Sequence, residues 1–245
     1  MTPLREWKLG DFLFPAILTT LFGSEIMFAL IEILVSLGLT LTGTYSDDRL
    51  DAWIYGDTNM SYFLWSMALL GHSGLVAWVF HKLGYLDDVF RVGRLSLPIF
   101  GLIVLGVAAD FFISDLLDIL FTAANNGQIP DTVVEGMDTE VSWQLLPGDL
   151  FWGAIAAPIE EEFLIRGVLF SILITRGWSV TWTLLITSAF FAILHVQYTI
   201  YGIIPVFVAG MIFGLLRIWT GGLAAPIIAH GLVNFLISTL YLVGL

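Results

Sequence analysis

The sequence contains no cysteine in its 245 residues. This absence excludes disulfide bonds, thiolate metal sites and a cysteine nucleophile. Positive charge is also scarce, with 9 Lys and Arg against 21 Asp and Glu and a formal net charge of −12. A protein that binds nucleic acid by neutralising phosphates needs the opposite balance, so nucleic acid is not expected as a partner.

Charged residues of either sign are few, and apolar residues dominate. Charged residues make up 12% of the chain and hydrophobic residues 58%, and the mean hydropathy is +0.92. Soluble domains carry roughly 25% charged residues. The composition therefore predicts an all-α protein, a polytopic transmembrane helical bundle in contact with membrane lipid.

Seven apolar stretches predict about seven transmembrane helices, within a range of six to eight. A bilayer core about 30 Å thick needs roughly 20 apolar helical residues for each crossing. The first stretch is long enough to be tilted or to contain two shorter helices. The stretches are 12–41, 61–80, 95–121, 150–174, 180–196, 200–219 and 223–243.

The distribution of Lys and Arg predicts the orientation in the membrane. When loops are assigned alternately to the two faces, Arg49 alone falls on one face, together with the linker 122–148, which contains acids but no Lys or Arg. By the positive-inside rule, the amino terminus is expected to be cytoplasmic and the carboxyl terminus non-cytoplasmic. The basic residues on the cytoplasmic face would be Arg5, Lys8, Lys82, Arg91, Arg94, Arg176 and Arg217.

The fourth stretch contains four ionisable side chains: Glu160, Glu161, Glu162 and Arg166. A charge at the bilayer centre costs roughly 2.5–3.5 kcal/mol, so the four together would cost on the order of 10 kcal/mol against lipid. Glu162 and Arg166 can pair along one helix face, whereas Glu161 points about 100° away and is left for other partners. The cluster fits either a general base or a buried ion pair that holds helices in register.

Polar residues in the fifth and seventh stretches supply further candidates. His195 follows Phe191 by four residues, and His230 and Asn234, also four apart, share one helix face. Each of them alone is typical of a hydrogen bond between helices. Combined with the glutamates, they would provide a base, a group that orients water and two donors for an oxyanion, which are the groups that amide hydrolysis needs.

Three ordered motifs carry a resemblance to a known family: Glu161-Glu162-x-x-x-Arg166, Phe191-x-x-x-His195 and His230-x-x-x-Asn234. In order and in separate apolar stretches, they resemble the motifs of the CAAX-protease and bacteriocin-processing family of intramembrane proteases. The resemblance implies a catalytic core at 149–245. Residues 1–148 would supply amino-terminal transmembrane helices and an acidic loop, and the two parts would form one integrated membrane domain.

The resemblance implies glutamate-dependent hydrolysis of a peptide bond. The substrate would be a membrane-anchored or lipidated protein or peptide, cleaved near the membrane or its carboxyl terminus. Glu161 stands at the position of the catalytic glutamate, with His195 helping it to activate water, and His230 and Asn234 would stabilise the oxyanion. Glu160 leaves open which acid is the base. The supporting residues are Glu160, Glu162, Arg166 and Phe191.

Metal dependence is left open by the resemblance, because the family is often described as metal-dependent. If zinc is present, Glu161, His195 and His230 would be its ligands. The sequence has no His-Glu-x-x-His helix of the zincin type. A metal-free glutamate mechanism is therefore favoured, and no cofactor is expected.

Ionisable residues outside the motifs keep a second function open. Glu25, Glu32 and Asp110 lie in apolar stretches, where they could relay protons in an ion-coupled transporter. Transporters often contain matching repeats, and none is visible in this sequence. A membrane scaffold without activity is a third hypothesis. His72, in a glycine-flanked position, is expected to form a hydrogen bond across a tight helix contact.

Overall fold

The computed structural model describes residues 8–135 and 142–243. Arg5 and the linker residues 136–141 therefore lie outside the described residues. Within the described ranges the chain is helical, and its β-structure is limited to the isolated antiparallel bridge between Val133 and Tyr198. The predicted all-α class is confirmed.

Helices follow one another with short connections. A single 3₁₀ turn, Leu9–Phe12, leads into the first helix. The helices are α1 (Leu13–Leu41), α2 (Asp47–Ile54), α3 (Asn59–Leu83), α4 (Leu86–Val89), α5 (Leu97–Ala124), α6 (Leu146–Asp149), α7 (Ala157–Glu162), α8 (Phe170–Thr175), α9 (Val180–Leu194), α10 (Ile200–Thr220) and α11 (Ala224–Leu242).

Five helical segments in the described residues are long and apolar enough to cross a membrane. They are α1 with its preceding turn, α3, α5, α10 and α11, and α9 is a shorter apolar helix. The chain is an integral, multi-pass membrane protein. The first apolar stretch forms one continuous helix, not two pieces, and the short helices α2 and α4 were not predicted.

Residues 146–175 form one continuous stretch, called here the site helix. It contains α6, α7 and α8, which are joined by two π-helical segments, Leu150–Ala156 and Phe163–Leu169. The backbone at each junction keeps the right-handed helical conformation, so the helix changes type without breaking. In a π-helix the hydrogen bonds span one more residue than in an α-helix, and such segments are frequent at functional sites.

Two buried apolar clusters hold the bundle around the site helix. In the first, Val76 of α3 and Phe191 of α9 pack with Phe163 of the site helix. In the second, Phe213 of α10 and Ala229 of α11 pack with side chains of α5. The site helix also contacts α1, α3 and α11. Residues from both ends of the sequence therefore surround it.

The loop before α5 fixes the start of α11. The Leu223 N–H donates to the Arg91 carbonyl at 2.8 Å, which satisfies one of the backbone donors that a helix start leaves open. Gly93 has a φ of 84°. It lies so close to Gly222 that a Cβ on either glycine would overlap the other's backbone. This contact holds in place the helix that carries His230.

Candidate active site

The three consecutive glutamates of α7 face different surroundings. Successive residues of an α-helix are about 100° apart around the axis. Glu160 is 4% exposed and Glu162 0%, whereas the Glu161 side chain is 30% exposed. Of the three, Glu161 is the carboxylate that a substrate or water can reach.

Glu162 is held in a fully buried network. Its Oε1 accepts hydrogen bonds from Arg166 Nη1 and from His230 Nδ1, both at 3.2 Å. The predicted pairing of Glu162 and Arg166 is confirmed. Arg166 Nη2 also donates to the Gly210 carbonyl at 2.8 Å, and the guanidinium lies 4.6 Å from the ring centroid of Phe191, a cation–π contact. The network ties the site helix to α9, α10 and α11.

His230 lies between two of the glutamates. Because a carboxylate only accepts hydrogen bonds, the contact with Glu162 puts a hydrogen on His230 Nδ1. The other ring nitrogen, Nε2, lies 3.9 Å from Glu161 Oε2, which is longer than a hydrogen bond. That Glu161 oxygen is buried and has no hydrogen-bond partner among the described residues. This arrangement suits two groups that meet through an atom of water or substrate.

His195 ends α9 with its ring fixed from two sides. Its Nδ1 lies 2.9 Å from the Phe191 carbonyl oxygen, which can only accept, so Nδ1 carries the hydrogen. In the neutral ring, Nε2 then keeps a free lone pair. The ring stacks on Tyr198 with centroids 6.0 Å apart and planes 9° apart. His195 therefore presents an oriented acceptor nitrogen.

Tyr198, which the sequence reasoning missed, stacks on His195. Burial raises the pKa of the Tyr198 phenol, the hydrogen bond with Gln197 lowers it, and the Glu161 carboxylate raises it again. The Tyr198 ring therefore lies against His195, and its hydroxyl lies close enough to Glu161 for the two groups to interact electrostatically. An aromatic residue three positions after the motif histidine was the available signal.

The acidic linker lies beside this loop. The Val134 N–H donates to the Gln197 carbonyl at 2.8 Å, and the Thr199 N–H donates to the Thr132 carbonyl at 2.9 Å. The two segments therefore meet at the isolated antiparallel bridge between Val133 and Tyr198. The linker supports the loop that carries Tyr198.

Phe191 is the apolar centre of the site. Its ring is 2% exposed and meets the ring of His195 at 4.7 Å and that of His230 at 5.6 Å, both edge to face. Its face receives the Arg166 guanidinium. One aromatic side chain therefore positions motif residues from three helices.

Asn234 binds the first π-helical segment. Its Nδ2 donates to the Gly153 carbonyl at 2.7 Å, and Gly231 packs so closely that a Cβ would lie 2.5 Å from the Ala154 carbonyl oxygen. In this structure His230 donates to Glu162 and Asn234 donates to the Gly153 carbonyl. Asn234 retains a second amide hydrogen, and its role as an oxyanion donor stays a prediction.

Glu160 points away from Glu161, towards the amino-terminal helices. Its Oε1 lies 2.5 Å from His72 Nδ1, and His72 Nε2 lies 2.9 Å from Thr19 Oγ1. The expected hydrogen bond of His72 across a helix contact is confirmed. With Glu160 engaged in this way, the geometry favours Glu161 over Glu160 as the base.

The remaining intramembrane acids have separate surroundings. Glu32 accepts a hydrogen bond from the Tyr55 hydroxyl at 2.9 Å. Asp110 is 6% exposed, its Oδ1 has no hydrogen-bond partner among the described residues, and it interacts electrostatically with His230. Asp110 therefore lies near the site, whereas Glu32 forms a local contact.

The described residues do not gather a metal-ligand set. No three His, Asp or Glu side chains within the described ranges come close enough together to hold a metal ion. The alternative zinc set of Glu161, His195 and His230 is not gathered in this way among the described residues, and it stays a prediction. The metal-free mechanism itself stays a prediction.

The family comparison matches the part of the chain that contains this site. Residues 143–236 match the family model described as type II CAAX prenyl endopeptidase Rce1-like. This segment is similar to that family and is called here the Rce1-like segment. It extends from just before the site helix to just past Asn234, and the family resemblance seen in the motifs is confirmed.

A second comparison found a protein that is similar to part of this chain. An Escherichia coli protein described as an uncharacterized 24.3 kDa protein is 36% identical over 78 residues, which cover 31% of this chain and 36% of that protein. The aligned part is therefore a little over a third of the relative's length. No solved structure matches the chain.

Proposed function

We propose that the protein is an intramembrane endopeptidase of the CAAX type. It hydrolyses a peptide bond in a membrane-anchored or lipidated protein or peptide. One observation carries the proposal: Glu161 is the accessible carboxylate of the three, and its unpartnered oxygen faces His230 within the Rce1-like segment.

In the first step, Glu161 acts as general base. It takes a proton from water while the water oxygen bonds to the scissile carbonyl carbon, and the π electrons of the carbonyl move onto its oxygen. His195 Nε2 accepts a hydrogen bond from the same water and orients it. The contact of Nδ1 with the Phe191 carbonyl supports this role because it fixes the ring and its tautomer.

In the second step, His230 and Asn234 stabilise the oxyanion until the carbon–nitrogen bond breaks. For this step His230 would donate from Nε2 as an imidazolium, while its Nδ1–H donates to the Glu162 carboxylate at 3.2 Å and orients the ring. Asn234 would donate its second amide hydrogen. Glu161 then returns the proton to the leaving amine, which balances the reaction as hydrolysis.

The location of the site supports a membrane-bound substrate. His230 lies in the apolar helix α11, His195 directly follows the shorter apolar helix α9, and Glu161 lies in the site helix that packs against α11. The scissile bond is therefore expected within or beside the bilayer. A prenylated or otherwise lipidated chain end meets that condition, as does a transmembrane segment. The family match of residues 143–236 supports hydrolysis over the transporter hypothesis.

The contacts of the basic residues support a cytoplasmic amino terminus. Arg176 Nη1 donates to the Gly10 carbonyl at 2.9 Å, so the amino-terminal turn and the connection between α8 and α9 lie at the same end of the bundle. Arg217 and Arg91 are also close enough to repel each other. Several residues of the predicted cytoplasmic set therefore cluster at one end.

Peptide cleavage tests the proposal. Purified protein in detergent is incubated with lipidated and membrane-anchored peptides, with and without a chelator, and products are identified by mass spectrometry. Glu161→Gln is expected to lower kcat/KM by about 10²–10⁴-fold, the usual contribution of a general base. His195→Ala is expected to lower it as well.

The matched control is Glu32→Gln, a change of the same kind at a glutamate that bonds Tyr55. It is expected to cleave like the wild type. Equal cleavage by wild type and Glu161→Gln would contradict the proposal. Loss of cleavage on chelation would contradict the metal-free mechanism alone.

A further inference from the structure

The carboxylate next to the proposed base is held from outside the Rce1-like segment. His72 of α3 contacts Glu160 at 2.5 Å, and Thr19 of α1 contacts His72 at 2.9 Å. Thr19 and His72 both lie before residue 143, where the family match begins. The amino-terminal helices thus reach the glutamate cluster through one hydrogen-bonded chain.

The chain is buried and its hydrogen bonds are complementary. His72 is 2% exposed and Glu160 4%. His72 Nδ1–H donates to the carboxylate, which leaves Nε2 of the neutral ring to accept the hydroxyl hydrogen of Thr19. Each group of the chain therefore has a partner suited to it, as a buried polar network requires.

The order of hydroxyl, imidazole and carboxylate also occurs in nucleophilic triads. Here Gly23 packs against the Nε2 edge of the His72 ring so closely that a Cβ would overlap the ring. This contact encloses the ring edge that faces Thr19 and holds the imidazole against α1. The chain is therefore suited to hold Glu160, and not to attack a substrate.

Holding Glu160 fixes the direction of Glu161. The two side chains are about 100° apart on the helix, so a rotation of α7 that released Glu160 would turn Glu161 out of line with His230. The α-helical turn that carries them is flanked by the π-helical segments Leu150–Ala156 and Phe163–Leu169. Because the backbone hydrogen-bond pattern changes on both sides of α7, side-chain contacts such as that of Glu160 help to set the rotation of this turn about the helix axis.

We propose that His72 is a positioning residue for Glu161: by anchoring Glu160 to α3 and α1, it sets the rotation of the site helix at which Glu161 faces His230. The proposal rests on the proposed function, in which Glu161 is the base. His72 itself touches neither water nor substrate in the reaction.

Kinetics of His72 variants test the proposal in the whole 245-residue chain. His72→Phe keeps a ring but removes the donor, and it is expected to lower kcat by about 10–100-fold with little change in KM, because misplacement by about 1 Å can cost 10²-fold. His72→Asn places an amide donor near the Nδ1 position and is expected to restore most of the rate. His81→Phe, the same change at an exposed histidine of α3, is the matched control and is expected to cleave like the wild type.

A second pair of variants tests the proposal even if His72→Phe folds poorly. His72→Asn and His72→Gln carry the same amide, but glutamine places it near the Nε2 position, away from Glu160. The asparagine variant is expected to be faster by about tenfold, within the range that positioning contributes. Equal rates for the two amide variants would overturn the proposal.

Thiol labelling reports the direction of position 161 without any need for activity. The chain has no cysteine, so Glu161→Cys introduces a single thiol. Adding His72→Phe is expected to slow its alkylation by a water-soluble maleimide several-fold, while a thiol from Ile165→Cys, at a position 0% exposed, stays protected in both backgrounds. An unchanged rate at position 161 would overturn the proposal.

The outcomes separate this proposal from the proposed function. Wild-type cleavage by His72→Phe, together with an inactive Glu161→Gln, would overturn the positioning role and leave the protease assignment standing. Wild-type cleavage by Glu161→Gln would overturn the protease mechanism, and the labelling result would still decide whether His72 sets the direction of position 161.

Discussion

Arg166→Met is expected to destabilise the protein strongly, because Arg166 is the fully buried partner of a buried acid. The substitution keeps an unbranched side chain of moderate length but removes the charge that neutralises Glu162. It also removes the donor to the Gly210 carbonyl and the cation–π contact with Phe191. Glu162 would keep His230 as its hydrogen-bond partner.

The size of the effect follows from breaking a buried ion pair on one side. Such a change costs about 3–5 kcal/mol, since it leaves an uncompensated buried charge. A loss of 1 kcal/mol lowers Tm by about 2–4 °C in proteins of roughly 150–250 residues, so a fall of about 6–20 °C is expected. Adding Glu162→Gln removes the stranded charge, and the double variant should regain about 1 kcal/mol or more.

Thermal unfolding in detergent, followed by circular dichroism, measures both variants against the wild type. A Tm for Arg166→Met within about 4 °C of the wild type would refute the reasoning, because it would correspond to about 1–2 kcal/mol or less, below the expected cost of about 3–5 kcal/mol. A double variant no more stable than the single variant would show that the charge on Glu162 is not the cause.

Further predictions concern packing and orientation around the site. Gly210→Ala should lower the free energy of unfolding by about 1–3 kcal/mol, because its Cβ would lie 3.2 Å from the Arg166 guanidinium. Gly101→Ala, which has nothing within 4 Å of its Cβ, should raise that free energy by about 0.5–1 kcal/mol. Similar changes in the thermal unfolding of both variants would contradict this prediction. Tyr198→Phe should keep the ring stacking and cleave peptide nearly as fast as the wild type, whereas Tyr198→Ala should cleave about tenfold more slowly. Equal cleavage rates for these two variants would show that the stacking on His195 does not matter for activity. Asn234→Leu should lower Tm and slow cleavage, since it leaves the Gly153 carbonyl without its donor, and an unchanged Tm would show that this bond is dispensable.

The helical bundle and the ion pair were predictable because their signals are local. Apolar stretches identify membrane helices by length, and the i, i+4 spacing of Glu162 and Arg166 places them on one helix face. The different direction of Glu161 follows from the same geometry. These features need no knowledge of the rest of the chain.

The partners of the site residues were not predictable because they come from distant parts of the chain. No sequence spacing links His72 to Glu160, 88 positions away, or Asn234 to Gly153. No residue pattern in the sequence indicates where the π-helical segments occur. These segments change how side chains are arranged around and along the site helix. His230 and Asn234 therefore have different hydrogen-bond acceptors, Glu162 and the Gly153 carbonyl, even though the two residues share a helix face.

A single-turnover hydrolysis in ¹⁸O-labelled water tests the central claim most directly, that Glu161 activates water for attack on the peptide bond. The wild type in excess over a cleavable membrane-anchored peptide is expected to give a product whose new carboxylate carries one ¹⁸O atom, and Glu161→Gln is expected to give no product on the same time scale. A first-turnover product without ¹⁸O would indicate that a protein oxygen attacks the carbonyl, and cleavage by Glu161→Gln at the wild-type rate would show that Glu161 is not the base.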